Sequence, residues 1–278
     1  SLTCVVGITP ESFQWNTLGQ DLLRFPYIYD IDYSNFDGTI HVDWLYYFMD
    51  FTERFYANDV EDNKRVRRIL LMQMATRYCV ARDCTYVIHG GNPSGCALTT
   101  VFNSFVNAMY VRYSWVAYVK DHADSNVFSF NVCDRNYGDD LLISTRDKNF
   151  VPFLCRFLLS HGVVCTDAEN KDHNPQEKTI TEVSFLQRKF AFCDIAPGQF
   201  RPLIKQEIIK SLLQYHTKGG SVETNARNAL EFAVYHGPDV YEKFRSVALL
   251  QGCDIPYEHM VGIMQDRDRE FDIAKGIG

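Results

Sequence analysis

Hydrophobic and polar positions change their pattern along the chain near residue 196. Before that point, short aromatic and β-branched runs predict strands, most of them in adjacent hairpins. Longer stretches with apolar residues at helical spacing lie between these runs and predict packed helices. After that point the pattern is helical. The chain is therefore predicted to be α+β over 1–196, followed by a mostly α-helical domain over 197–278.

The individual elements follow from the same periodicities and from turn residues. Pro202 stands at a plausible first helical position, and Gly237-Pro238 separates two later helices. The helix over 41–56 is expected to be buried because it is rich in aromatic residues. Strands are predicted at 26–31 and 85–89, with hairpins at 128–144 and 179–193. Helices are predicted at 41–56, 62–81, 96–120, 150–160, 222–235 and 240–250.

Composition permits a sizeable core, since 46% of the 278 residues are hydrophobic and 14% are aromatic. No apolar run reaches the length of about eighteen residues that a membrane-spanning helix needs. The first ten residues lack the basic and apolar regions of a signal peptide. They also lack an initiator Met and are already strand-like, which predicts that the sequence is a piece of a longer chain.

Cysteine usage and charge restrict the chemistry further. Nine cysteines are scattered along the chain without a Cys-x-x-Cys pair, so a zinc site is not predicted. The cysteines are instead predicted to be reduced thiols in a cytosolic setting. The net charge of −7 disfavours a nucleic-acid partner, because phosphate binding usually requires a basic surface. That objection weakens if the acids cluster at a metal site and the basic residues lie outside this chain.

Two acidic segments follow predicted strands. Asp32 and Asp37 come at and after the end of the first strand, where both carboxylates can reach one sheet edge. Taken alone, this segment is better explained by turn-forming Asp and Asn. The second segment, 137–140, reads Tyr-Gly-Asp-Asp in a hairpin turn, where adjacent like charges favour a bound cation. Hard carboxylate oxygens select Mg²⁺ or Mn²⁺. An ordinary type I′ turn explains this segment equally well.

A glycine-rich loop over 90–95 precedes a helix that carries Thr99 and Asn103 on one face. Such a loop can approach a phosphate closely and donate backbone N–H groups to it. The alternative is an ordinary strand-to-helix turn, which leaves the polar stripe of Ser94, Thr99 and Asn103 unexplained. A Walker-type loop is excluded because no Gly-Lys-Ser/Thr occurs.

Together, these segments resemble motifs A, B and C of picornavirus-like RNA-dependent RNA polymerases in their order, spacing and amino-acid sequence. The resemblance extends over about 6–190 and more loosely into the helical tail. The strand at 132–136 is more polar than the family pattern, so the resemblance does not predict its burial. The matching segments are Asp32-x4-Asp37 (motif A), GGNPSGCALTTVFNSFVN at 90–107 (motif B), YGDD at 137–140 (motif C) and FLQR at 185–188 (motif E).

The resemblance implies a polymerase palm over 1–196, with a small inserted part of the fingers, and a helical thumb over 197–278. The palm would be an antiparallel sheet with packed helices and a core like that of RNA-recognition domains. Asp32 and Asp139 would be the principal ligands of two Mg²⁺ or Mn²⁺ ions, with Asp140 more peripheral. These ions would support transfer of a ribonucleoside monophosphate from an NTP to a primer 3′-hydroxyl on an RNA template.

The resemblance also implies substrate contacts. Asp37 and Asn103 would meet the ribose of the incoming nucleotide, together with Ser94, Gly95 and Thr99 of motif B. This favours ribonucleotides and disfavours a reverse transcriptase.

The resemblance assigns basic residues less firmly. Lys171 would protonate pyrophosphate, with Lys178 as a competitor because the loop spacing is one residue off. Arg188 and Gln187 would contact the primer strand. The basic run at 64–68 can face RNA, but a solvated helix face is favoured.

Further expectations concern partners and location. The family suggests RNA template and primer, ribonucleoside triphosphates, a genome-linked protein primer, other viral replication proteins, and host cytoplasmic membranes as the place of replication. Without a basic fingers segment upstream, this chain alone is expected to polymerise poorly. The alternative from another class is a non-catalytic RNA-binding or scaffolding α/β domain, which would need exposed aromatic residues and a basic face.

Overall fold

The computed structural model describes residues 3–121, 127–193, 195–215 and 221–274. These residues form two compact units. The first contains Phe25–Glu177 and the described residues up to Val6, and the second contains Gly7–Arg24 with the described part of Lys178–Gly278. Each unit combines an antiparallel sheet with helices, which confirms the predicted α+β class. The predicted palm and thumb boundary near residue 196 stays a prediction.

The elements are numbered in chain order. The helices are α1 Phe13–Leu22, α2 Phe36–Thr39, α3 Val42–Phe55, α4 Glu61–Ala75, α5 Thr99–Asp121, α6 Phe150–Leu159, α7 Gln206–Gln214, α8 Val222–Ala233, α9 Pro238–Leu249 and α10 Tyr257–Ala274. The strands are β1 Tyr27–Tyr33, β2 Thr76–Ala81, β3 Cys84–His89, β4 Val132–Tyr137, β5 Asp140–Thr145, β6 Cys165–Asp167, β7 Ser184–Phe185, β8 Arg188–Phe192 and β9 Phe200–Ile204.

The first unit is built on a four-stranded sheet of order β4-β5-β1-β6. Consecutive residues are buried along most of β1 and β5, and their alternate apolar side chains, including Ile31, Leu141 and Ile143, belong to one core. Helix α6 packs its apolar face against the same core because Phe150, Leu154 and Leu158 recur at intervals of four. The sheet is therefore a rigid support for whatever lies at its strand ends.

Strand β4 is buried although its sequence is polar. The resemblance to the family did not predict this burial. Its Asp134 carboxylate pairs with the Arg112 guanidinium at 2.9 Å. The backbone of Asn136 bonds to Thr3 and Val5 of the preceding segment, with N–O distances of 3.0 and 2.9 Å. These bonds satisfy the Asp134 carboxylate and the Asn136 backbone, whereas the buried side-chain amide of Asn136 has no hydrogen-bond partner among the described residues.

Two predictions in the segment between β1 and α5 are wrong. Helix α4 ends at Ala75, and the expected helical continuation to Ala81 is strand β2, paired with β3. The pattern Thr76-x-Tyr78-x-Val80 suits a strand, and the cross-strand partner decides the outcome. Helix α3 is not buried as a whole, since Leu45 and Phe48 are its only buried described residues.

The second unit places helices around a three-stranded sheet of order β7-β8-β9. Trp15 of α1 is fully buried and stacks on Phe190 of β8 with ring centroids 4.5 Å apart. The predicted hairpin at 179–193 forms, but within it only Ser184 and Phe185 pair, with Lys189 and Arg188, and β8 also pairs with β9. Pro202 does not begin a helix: it lies in β9, an edge strand whose free side tolerates a missing N–H.

No helix among the described residues combines the length and the apolar character needed to cross a bilayer.

His236 gives the second unit a predicted pH dependence. Its ring bonds through Nε2 to the Ile204 carbonyl oxygen at 2.8 Å, and burial lowers its pKa below the usual 6.5. Because the folded state then binds the proton less well than the unfolded chain, stability should fall as the pH drops below about 6.5. His236→Gln should flatten this dependence in urea unfolding between pH 7.5 and 5, measured at about half-unit intervals. The exposed His259→Gln variant, which keeps His236, should retain the wild-type slope.

Candidate active site

Carboxylates converge at one end of the first unit's sheet because of the strand register. Ile31 of β1 lies opposite Leu141 of β5, so the next residues, Asp32 and Asp140, reach the same end. Asp139 is in the turn directly before β5. On the other side of β1, Asp32 pairs with Thr166 of β6. The predicted convergence of motifs A and C at this edge is therefore present in the backbone.

The motif C turn is not the type I′ turn that the sequence suggested. Tyr137 and Asp140 pair across it, leaving Gly138 and Asp139 as the two turn residues. Gly138 has φ +65°, but Asp139 is absent from the described non-glycine residues with positive φ. A type I′ turn needs positive φ at both positions, whereas this pattern of signs suits a type II′ turn with glycine first. The glycine is thus required by the turn.

Crowding of negative charge is visible at Asp139. Its side chain is exposed, yet partial burial raises its pKa, and the nearby Asp32 and Asp37 carboxylates raise it further. The Lys171 ammonium acts in the opposite direction. The negative charges of Asp32 and Asp37 are therefore close enough to affect the pKa of Asp139.

Lys171 supplies a positive charge at this site. Its Nζ lies 2.7 Å from Oδ2 of Asp32, and this hydrogen bond raises the pKa of the lysine. The loop that carries it is organised by Asp167, whose Oδ1 accepts from the backbone N of Glu169 and Asn170 at 3.0 and 3.2 Å. Lys178, the competing lysine, belongs to the second unit.

Asp37 is held by two side chains of motif B. Asn103 donates from Nδ2 to Oδ1 of Asp37 at 2.6 Å, and Ser94 donates from Oγ to Oδ2 at 2.7 Å. The buried Asn92 amide donates to Oδ1 of Asn103 at 2.7 Å, which fixes which end of the Asn103 amide faces Asp37. The predicted grouping of Asp37, Ser94 and Asn103 is thus present as a hydrogen-bonded set.

The glycine-rich loop packs on the Asp37 backbone. Asn92 N donates to Asp37 O at 2.8 Å, and a Cβ added at Gly91, which has φ +65°, would lie 3.0 Å from the same oxygen. Thr99 does not reach Asp37 among the described contacts, since its Oγ1 donates to Pro93 O at 2.8 Å and closes the loop. Gly95 is exposed with φ +85°. The ribose roles of Thr99 and Gly95 stay predictions.

Helix α5 also holds the motif C turn, through two residues that the sequence analysis gave no role. Ser104 Oγ accepts from Gly138 N at 2.8 Å. The fully buried Asn107 donates from Nδ2 to the carbonyl oxygens of Gly138 and Asp139, both at 3.1 Å. The available sequence signal was the spacing of four between Asn103 and Asn107, which places both on one helix face.

The donor set fits a hard divalent cation. Asp32, Asp139 and Asp140 offer carboxylate oxygens, the ligands that Mg²⁺ and Mn²⁺ prefer. The Lys171 ammonium pairs with the Asp32 carboxylate and so occupies a position where a metal ion could bind. Among the described residues, no group of three or more His, Cys, Asp or Glu is assembled closely enough to hold a metal by itself. Binding would therefore require the carboxylates to draw together around the ion.

The predicted RNA-contacting residues are largely engaged elsewhere. Arg188 donates from Nη2 to Glu11 at 2.8 Å and from Nη1 to Leu186 O at 3.0 Å, and its side chain is 17% exposed. Gln187 is exposed in the turn beside it. Their primer-strand roles stay predictions.

The basic run at 64–68 is partly neutralised. Arg67 pairs with Asp59, and Arg68 pairs with Glu53. The choice between a solvated helix face and an RNA-facing one stays a prediction.

The first unit therefore combines an antiparallel sheet and packed helices with acidic residues at one strand end. The chain belongs to the family of viral RNA-dependent RNA polymerases, whose sequence profile matches residues 1–251. The resemblance to picornavirus-like polymerases is therefore confirmed.

The relatives agree with this assignment. The RNA1 polyprotein of Tomato ringspot virus (isolate raspberry) is 32% identical over 255 residues, covering 88% of this chain and 11% of the polyprotein. The genome polyprotein of Theiler's murine encephalomyelitis virus (strain BeAn 8386) is 28% identical, covering 90% of this chain and 10% of the polyprotein. The chain thus spans about a tenth of these curated relatives.

A solved structure shares the fold. The sicinivirus 3Dpol RNA-dependent RNA polymerase superposes with a TM-score of 0.77 at 24% identity, covering 96% of this chain and 56% of the sicinivirus chain. The chain therefore spans little more than half of that polymerase.

Proposed function

We propose that this chain is the catalytic part of a viral RNA-dependent RNA polymerase, which transfers a ribonucleoside monophosphate from an NTP to a primer 3′-hydroxyl. The observation that carries the proposal is the strand register, which brings the like-charged Asp32 and Asp139 to one sheet end, where the Lys171 ammonium provides compensating charge. Repulsion of this kind serves no structural purpose. It suits a site that receives a divalent cation.

Asp32, Asp139 and, more peripherally, Asp140 would hold Mg²⁺ or Mn²⁺. The ions would lower the pKa of the primer 3′-hydroxyl and stabilise negative charge on the pyrophosphate as it leaves. Asp32 is presented by β1 and Asp139 by the motif C turn, so two different segments orient the carboxylates. These supports would fix the backbone positions of the carboxylates, so that only their side chains need to draw together around an ion.

Asp37 and Asn103 would recognise the ribose, with Ser94 as a third member. Their hydrogen bonds to one another hold polar groups ready to exchange partners with a 2′-hydroxyl. A deoxynucleotide would leave one of these groups without a partner, which is the physical basis for choosing ribonucleotides.

Lys171 would give a proton to the pyrophosphate. Its pairing with Asp32 keeps it protonated, because the bond raises its pKa. A cation that takes over Asp32 would weaken this bond and make the lysine a better acid. Lys171 thereby couples cation binding to proton donation.

The same proposal extends to the partners. RNA template, primer and ribonucleoside triphosphates are the expected substrates of a protein in this family. A genome-linked protein primer, other viral replication proteins and a place at host cytoplasmic membranes follow from the picornavirus-like relatives as proposals only.

Primer extension with Mn²⁺ or Mg²⁺ tests the function. A chain lengthened by the sequence encoded on either side of this one should add ribonucleotides to an annealed RNA primer, and EDTA should stop the addition. The present chain should be much less active but should still bind Mn²⁺, measured by electron paramagnetic resonance. Failure of the longer chain to extend the primer with either metal, together with metal-independent RNA binding, would instead indicate a non-catalytic RNA-binding protein.

A further inference from the structure

Asn107 connects the segments that carry the two principal carboxylates. Its side chain is fully buried on α5. Nδ2 donates to the carbonyl oxygens of Gly138 and Asp139, each at 3.1 Å, and Oδ1 accepts from Tyr33 Oη at 3.0 Å. Tyr33 directly follows Asp32 in β1. One amide therefore joins the end of the motif A strand to the motif C turn.

The chemistry of the three bonds allows only one orientation of this amide. A flipped amide would point its oxygen at the Gly138 and Asp139 carbonyl oxygens, and both bonds would be lost. The Tyr33 hydroxyl donates to the amide oxygen at 3.0 Å, so the oxygen faces Tyr33 and the nitrogen faces the turn. The bridge is thus a defined geometry.

The surroundings prevent the bridge from relaxing. Ser104, one turn earlier on α5, accepts from Gly138 N at 2.8 Å and donates to Thr100 O at 2.7 Å. The Tyr33 ring is fixed by Phe36 and Tyr110, with ring centroids at 4.9 and 6.4 Å. Neither end of the bridge can move without breaking buried contacts. Such a clamp determines how far apart the attached carboxylates lie.

We propose that Asn107 is a positioning residue, which sets the separation of the Asp32 and Asp139 carboxylates and so determines their affinity for a divalent cation. The inference rests on the proposed function, because it assumes that these two carboxylates share a cation. Asn107 itself does not touch the ion or the nucleotide. It acts through the backbone of the motif C turn and through Tyr33.

Mn²⁺ binding to the isolated chain, followed by electron paramagnetic resonance, measures this role without requiring polymerase activity. Asn107→Leu keeps the branching and the number of side-chain heavy atoms but removes all three bonds. Loss of a group that orients metal ligands typically weakens metal affinity by about 10–100-fold, and we expect a loss in this range. Tyr33→Phe removes one of the three bonds and should cause a smaller loss in the same direction.

The two variants should also be interdependent. Tyr33→Phe should have little further effect in the Asn107→Leu background, because the bond that it removes is already absent. Tyr110→Phe is the matched control. It removes a hydroxyl from a buried ring that packs on Tyr33 but leaves every bond of Asn107 in place, so Mn²⁺ affinity should match the wild type.

Circular dichroism and thermal melting establish which variants fold. Wild-type Mn²⁺ affinity in folded Asn107→Leu would overturn the inference. If Asn107→Leu does not fold, Tyr33→Phe decides: a loss of affinity relative to Tyr110→Phe supports the inference, and equal affinity overturns it. Mn²⁺ binding by the wild type should be lost in Asp139→Asn. If the wild type does not bind Mn²⁺, or if Asp139→Asn binds it equally well, the proposed function fails and the inference fails with it.

Discussion

Asp139→Asn and Asp32→Asn should each abolish ribonucleotide incorporation while leaving the fold intact. Each change removes a negative charge from the cluster at the sheet end and keeps the size of the side chain. A bound metal ion contributes several kcal/mol of transition-state stabilisation, so the loss should be about 10³-fold or more. Primer extension in single turnover, with the longer polymerase chain described above, measures the rate of the chemical step.

The controls separate charge from position. Asp172→Asn removes an exposed carboxylate next to Lys171 and should leave the rate near that of the wild type. Asp139→Asn should fold normally, because it removes a charge that partial burial and the neighbouring Asp32 and Asp37 disfavour. Substantial activity in either Asp139→Asn or Asp32→Asn, at Mg²⁺ concentrations that saturate the wild type, would contradict the assignment of these residues as metal ligands.

Asn103→Leu should reduce the preference for ribonucleotides over deoxyribonucleotides. The change removes the 2.6 Å bond from Asn103 to Asp37 and the amide that would meet the 2′-hydroxyl. A buried polar group that loses its partner costs about 1–3 kcal/mol, which corresponds to roughly 5- to 150-fold in discrimination. We expect kcat/KM for NTP to fall by this factor while kcat/KM for dNTP changes little.

A graded series sharpens this test. Ser94→Ala should have a smaller effect in the same direction because Ser94 is exposed. Thr100→Val removes a hydroxyl from the same helix without touching Asp37, and it should keep wild-type discrimination. An equal fall of kcat/KM for NTP and dNTP in Asn103→Leu would show that Asn103 supports the fold of the site and does not select the sugar.

Local pattern predicted most elements of the first unit, and it failed where a partner elsewhere in the chain decides the outcome. Residues 76–81 continue the apolar spacing of α4, yet they form β2 because β3 offers a complementary edge. Pro202 has the local features of a helix start, yet pairing with β8 holds it in a strand. Propensity is a weak prior when tertiary contacts compete with it.

The sequence predicted the acidic residues of the candidate site but missed the buried side chains that hold them in place. Asp32, Asp37 and Asp139 could be singled out because carboxylates close to turn residues form an unusual sequence pattern. The buried bridge of Asn107 was missed, because its spacing of four from Asn103 gives its helix face but not its partners.

The sequence alone determined the family, the α+β class and the positions of the acidic motifs, because these depend on local sequence motifs and their spacing. Only the tertiary structure decided that Lys171 pairs with Asp32, that Arg188 is engaged by Glu11, and that Asn107 joins two distant segments. Each of these contacts depends on strand register and helix packing. Such long-range geometry results from the packing of the whole unit and is not recorded in any single stretch of the chain.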